Sequence, residues 1–187
     1  MRPTPKELLK AGARLLLGEY AAYYIYRSPD RAHDALATTD DVRLLERSAV
    51  ESCDDEVIRA QLPYLGDQAL AYGGFADDRL AGICIYWYGD RYRTRNFWPL
   101  DTGEAKLVQI ITTPAARGRG VATTLIAASH AQLLSKGFHQ AYARVWHSNT
   151  PSLRAFERAG WTRIALVVEI NPLRRKRPLR LRFRTRG

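Results

Sequence analysis

The stretch Leu107–Ala122, LVQIITTPAARGRGVA, constrains the fold of this chain more than any other. Leu107–Ile111 is apolar and largely β-branched apart from Gln109, the composition of a mostly buried strand, and Pro114 ends it. A turn bearing Arg117, Gly118, Arg119 and Gly120 follows, and from Val121 onward Ala122, Leu125, Ile126, Ser129 and Leu133 recur at helical spacing. The order is strand, glycine-rich turn, helix. Glycines at such a turn let a ligand approach the backbone, and the unpaired N–H groups of the first helical turn face the same space with the positive end of the helix dipole behind them. That corner suits a pyrophosphate.

Two other phosphate loops are excluded, because the chain has no G-x-x-x-x-G-K-[ST] and no G-x-G-x-x-G with an acidic residue about 20 positions on. Arg117-Gly118-Arg119-Gly120-Val121-Ala122 follows R-x-x-G-x-[GA] instead. Downstream, Asn149–Trp161 (NTPSLRAFERAGW) follows N-x-x-[AS]-x-x-x-[YF]-x-x-x-G-[FW]. In this order the two segments resemble the acetyl-CoA site of the GNAT acyltransferase superfamily, over roughly Leu70 to Ile170 and more loosely before it.

The resemblance implies an α/β (α+β) fold, a single domain whose mixed, mostly antiparallel sheet is flanked by helices. It also implies direct transfer of an acetyl group from acetyl-CoA to a primary amine, small or sugar-linked, within a ternary complex. Backbone amides from Arg117 through Gly118, Arg119, Gly120 and Val121 to Ala122 would hold the pyrophosphate. Ile110, Ile111 and the adjoining Thr112, beside a splay in the sheet, would pair with the pantetheine arm as an added strand does. Asn149, Ser152 and Phe156 fall at positions that border the pantetheine.

Phe156 stands where many relatives carry a tyrosine, and a phenyl ring has no proton to give to a leaving thiolate. Tyr142, Ser152, His147 or a water is left for that task, or the thiolate leaves unaided. For the general base the candidates are Glu104, at the head of the central strand, and His147, at the end of the next one. Histidine titrates near neutrality unaided, whereas glutamate needs a raised pKa or a water chain.

With 187 residues, 46% of them hydrophobic, the chain suffices for one domain with a full core. Cys53 and Cys84 lie far apart and outside any metal-ligand spacing, which points to reduced thiols. The formal charge of +10 is unevenly placed: eight of the 29 basic side chains lie in 171–187 with no acidic residue among them, so that 21 face 19 acidic ones in the rest. An anionic partner for that segment is expected. No secretory signal or apolar membrane-spanning run stands out, and a cytoplasmic protein is the default expectation.

In chain order, Pro5–Leu17 reads as a short amphipathic helix and Tyr20–Arg27, with four tyrosines, as a strand whose rings suit either strand packing or base stacking. A strand around Ala35–Thr38, a helix from Asp40 or Asp41, and a second helix from Asp54-Asp55-Glu56 to about Gln61 are expected next. Ala69–Tyr88 carries a hairpin signal around Asp77-Asp78-Arg79, which the resemblance makes the second and third strands. The loop from Gly89 to Gly103 alternates arginines with aromatics (Tyr92, Phe97, Trp98), as a solvated loop or as an exposed contact for an acidic, sugar or nucleotide-linked acceptor. Strands at Phe138–Trp146 and Trp161–Ile170, a helix capped by Asn149 or Thr150, and an edge strand at Leu179–Phe183 complete the chain.

Three regions follow: 1–68 on the acceptor side, 69–170 as the acetyl-CoA core and 171–187 as a basic segment. Two other readings stand beside acyl transfer: nucleic-acid or ribosome binding through the basic segment, and a catalytically silent CoA-binding body. Pairing of two copies through the aromatic N-terminal third is a further partner expectation.

Overall fold

A computed structural model describes residues 19–32, 41–171 and 179–185. The expected N-terminal helix and the strand at Ala35–Thr38 lie outside them. Eight strands form one sheet: β1 (Glu19–Arg27), β2 (Val42–Leu44), β3 (Ala69–Ala76), β4 (Arg79–Tyr88), β5 (Glu104–Thr112), β6 (Gln140–Trp146), β7 (Thr162–Asn171) and β8 (Leu179–Arg184). Their order is β2-β3-β4-β5-β6-β1-β7-β8. Only β5 and β6 run parallel; every other pairing is antiparallel.

The hairpin β3–β4 is closed by Asp77 and Asp78, whose φ angles of 51° and 56° are the pair a two-residue type I′ turn demands and aspartate tolerates. It supplies the third and fourth strands, not the second and third, because Val42–Leu44 pairs with the open edge of β3 (Val42 opposite Gly74). That pairing also displaces the helix expected from Asp40 or Asp41: the chain is extended there, and α1 begins at Arg47 and ends at Glu51. The next helix, α2 (Glu56–Arg59), starts as expected, with the Asp55 carboxylate accepting from the amides of Val57 (2.8 Å) and Ile58 (3.3 Å).

Side-chain alternation along the strands divides the core between two faces. Cys84 and Tyr86 of β4 join Leu107, Phe156 and Trp161 beneath α3 (Val121–Ser135) and α4 (Thr150–Arg158). Ile83, Ile85 and Trp87 point the other way, to Val50 and Ile58 of α1 and α2. Farther along that second face Tyr23, Ile25, Ala165 and Val167 are covered by Phe97, reached from the loop after β4. Phe97 is 4% exposed, so this aromatic of the loop is a core residue and not an exposed contact. Tyr23 and Tyr26 are likewise fully buried, which settles β1 as packing between β6 and β7, whereas Tyr20 stays exposed.

Candidate active site

β5 carries one residue too many for its partner. Ile85 faces Gln109 and Tyr86 faces Leu107, so Val108 is the extra residue of a β-bulge. Bulges bend the strand that bears them and sharpen its twist. On its other side β5 pairs with β6 only as far as Leu107 opposite Ala143, and beyond that point the two strands diverge. The splay expected beside Ile110 and Ile111 is present.

The gap is a slot with an outer chamber of about 730 Å³ and an inner one of about 220 Å³, which share Ile110, Ile111, Asn149, Ser152 and Phe156 as walls. Thr112, Arg117, Gly118, Gly120, Val121 and Ala122 line the outer chamber. Arg154 and Arg158 of α4 do too, one helical turn apart and both unremarked in the sequence. Their signal was their spacing, because Pro151, Arg154, Ala155 and Arg158 share one face of the helix that Asn149 begins. The inner chamber passes between the strands and reaches Phe97, Arg144 and Trp146 on the second face.

Gly118 and Gly120 have φ angles of 76° and 82°, and a Cβ added to either would meet nothing within 4 Å. In the turn Arg117 donates to the Pro114 carbonyl, and Thr123 and Thr124 donate to the Gly120 carbonyl. The amides of Gly118, Gly120, Val121 and Ala122 take no part in those bonds, and these residues border the chamber. A phosphate placed there would meet amides and the start of α3, with Arg117, Arg154 and Arg158 around it. Arg119 is the exception among the expected residues: its guanidinium turns to Asp77 at 3.6 Å and lines a separate hollow of about 460 Å³ beside the β3–β4 hairpin. Only its main chain belongs to the loop.

Asn149 holds α4 in place, its side-chain oxygen accepting from the Ser152 amide at 3.3 Å, with Pro151 in the first turn. Phe156 is 1% exposed and packed between Tyr26 (centroids 5.3 Å apart) and the edge-on Trp161 (5.2 Å). It is a core ring whose edge of contact is also slot wall.

The three catalytic candidates are not brought together. Tyr142 donates to Glu104 Oε1 at 3.1 Å, and Glu104 Oε2 accepts from the Asp101 amide at 2.8 Å. Burial is the first cause that raises the Tyr142 pKa, with the Glu104 carboxylate second. Both residues sit at the heads of β5 and β6, and six residues of strand, about 20 Å, separate Glu104 from Ile110. Neither lines the slot. Because β5 and β6 run parallel, their heads lie together and their tails flank the gap, and His147 is at a tail. Its Nδ1 is 3.0 Å from the Ala22 carbonyl oxygen. That oxygen only accepts, so Nδ1 is the donor in this contact.

Two cations missed in the sequence lie on the second face beside the inner chamber. Lys106 is fully buried, with Nζ over the rings of Tyr92 (4.9 Å) and Phe97 (4.6 Å) and no hydrogen-bond partner. Burial, then the neighbouring Arg144 charge, lowers its pKa to about 8. Between about pH 8 and 10.5 the unfolded chain therefore binds more protons than the folded one, and stability rises with pH across that window. Lys106→Met is expected to stabilise the protein by about 1–3 kcal/mol at pH 7, with a gain that shrinks as the pH climbs past 8. Chemical denaturation of both proteins at pH 7 and pH 10 checks it.

A sequence model of the Acetyltransferase (GNAT) family matches residues 36–161, most of the chain, and the chain belongs to that family. Among solved structures it is similar to an acetyltransferase from the GNAT family of Colwellia psychrerythraea (14% identity, TM-score 0.61, covering 89% of this chain and 62% of that one). A GNAT-family structure from Novosphingobium aromaticivorans gives 18% identity and a TM-score of 0.56, over 82% of this chain and 64% of that one. A GCN5-related N-acetyltransferase from Sphaerobacter thermophilus gives 13% and 0.55, over 99% and 59%. This chain thus spans somewhat less than two thirds of the length of these structures, and the likeness is one of fold. No curated protein sequence matches it. Among the described residues no helix is long and apolar enough to cross a membrane.

Proposed function

We propose that this chain transfers the acetyl group of acetyl-CoA to the nitrogen of a small-molecule amine. The observation that carries the reading is the continuous slot. It begins at the amides of Gly118–Ala122, follows a strand edge that β6 has left, and opens on the opposite face of the sheet. An extended pantetheine arm fits such an edge, because the main chain from Gln109 to Thr112 has β4 on one side and the gap on the other. Acetyl-CoA is the co-substrate of the family to which the chain belongs.

The amine would enter from the face of Phe97, Arg144 and Trp146 and attack the thioester carbonyl carbon. The new C–N bond forms, the C–S bond breaks, and the electron pair of that bond leaves with sulfur. His147, which follows β6 at its gap end but lines neither chamber, takes the proton lost by nitrogen in this scheme. The Ser152 hydroxyl or a water supplies the proton that sulfur gains, since Phe156 has none to give. Most of the catalysis in this scheme is alignment of two bound reactants.

Thiol release from acetyl-CoA, measured with a panel of amines and followed by mass analysis of the amine, tests the proposal. Acetylated amine in step with free thiol is the expected result. Tight acetyl-CoA binding with no thiol release from any amine would favour the silent CoA-binding reading, which the missing phenol at Phe156 supports. Binding of RNA that weakens steeply with salt, with no acetyl-CoA binding, would shift the function to the basic C-terminal residues.

A further inference from the structure

We infer that the acceptor amine carries an anionic group, a carboxylate or a phosphate, and that Arg144 receives it; this rests on the acyl-transfer reading of the slot. Arg144 lines the inner chamber at its exit to the second face. Its guanidinium carbon lies 5.2 Å from the Tyr23 ring centroid, 5.6 Å from that of Phe97 and 5.2 Å from that of Trp146. Three rings thus surround the fork. Among the described residues no carboxylate lies within ion-pair distance of it, and it makes no side-chain hydrogen bond. Five N–H donors in a fixed planar fork match the two oxygens of a carboxylate or phosphate. Trp146 is 44% exposed, so the entrance is open to solvent.

The surrounding charges point the same way. Lys106 Nζ lies 4.6 Å from the Phe97 ring centroid with no hydrogen-bond partner, and Arg182 stacks on Trp98 at 4.6 Å on the same face. Two carboxylates on this face, Glu169 and Glu104, are already paired. Glu169 accepts from the Tyr23 hydroxyl at 2.7 Å and pairs with Arg180 at 2.7 Å. Glu104 accepts from Tyr142 and the Asp101 amide. The exit of the slot is therefore positive, and walls of low polarizability concentrate that field. A polycationic amine is repelled there, whereas an acceptor with an anion at one end and an amine at the other is drawn in and oriented. The same positive charges disfavour an ammonium at the reacting nitrogen, which eases its deprotonation.

The test compares acetylation, by the full chain, of matched acceptors: β-alanine against its amide, O-phosphoethanolamine against ethanolamine, and spermidine as the polycation. Specificity, as kcat/KM, is expected to be at least about 30-fold higher for one anionic member than for its neutral partner, the worth of a charge-assisted pair. Which pair shows it distinguishes carboxylate from phosphate. Arg144→Gln is expected to erase that ratio through KM while the KM for acetyl-CoA holds, and Arg144→Lys to restore part of it. The inference is overturned if neutral or cationic amines are preferred, if Arg144→Gln leaves the ratio unchanged, or if acetyl-CoA binds yet no anionic amine is acetylated. Loss of acetyl-CoA binding in the unaltered protein would instead remove the acyl-transfer reading itself.

Discussion

Gly120→Val is expected to lower acetyl-CoA affinity at least about 100-fold while the protein remains folded, since several charge-assisted bonds to backbone amides are blocked at once. The residue caps α3 at φ 82°, and a Cβ there meets no protein atom within 4 Å. The added Cβ itself therefore meets no clash in the folded chain. It costs about 1–2 kcal/mol for a left-handed β-branched residue, against a typical domain stability of about 5–15 kcal/mol. What the side chain does occupy is the space in front of the Val121 and Ala122 amides. Calorimetry for affinity and a thermal melt for the fold separate the two effects. Unchanged affinity in a folded variant would remove the loop from the site.

Phe156→Ala carries the largest expected cost to stability. The ring is buried against Tyr26 and Trp161, and truncating a buried phenylalanine costs about 3–5 kcal/mol. For a chain of this size that lowers Tm by roughly 6–20 °C. Acetyl-CoA affinity is expected to fall as well, because the same side chain walls both chambers of the slot. Phe156→Tyr should keep the packing and cost far less, since the residue borders open space where a hydroxyl stays hydrated. A melt of the three proteins decides it, and a loss under 1 kcal/mol for Phe156→Ala would show that the ring is wall and not core.

Much of this architecture is written in local pattern. The hairpin around Asp77-Asp78, the cap at Asn149 and the strand–turn–helix at Leu107–Ala122 each depend on neighbours a few residues apart, and each appears where the sequence places it. The insertion of β1 between β6 and β7 has no such signature, because it joins residues more than a hundred positions apart. β2 escaped notice for a related reason: three residues become a strand only because the edge of β3 is free to pair with them.

The site was legible in proportion. The glycine loop and the slot walls follow from short motifs, whereas Glu104 is set apart only by its place at the head of the central strand. In a parallel pair the strand heads stand together, and that carries Glu104 and Tyr142 to the end opposite the gap. Nothing local marks Lys106 and Arg144, which are lone basic residues in largely apolar strands. They are buried or framed by aromatics partly because Phe97, from a loop ten residues upstream of Leu107, folds over that face.

Hydrogen exchange on the full chain, with and without acetyl-CoA at moderate salt, tests most directly whether the slot between β5 and β6 is where acetyl-CoA binds. The account predicts slowed exchange at the amides of Gly118–Ala122 and along β5 from Gln109 to Thr112, with little change in the β3–β4 hairpin. Protection that appears elsewhere, with both of these segments exchanging as fast as before, would contradict it.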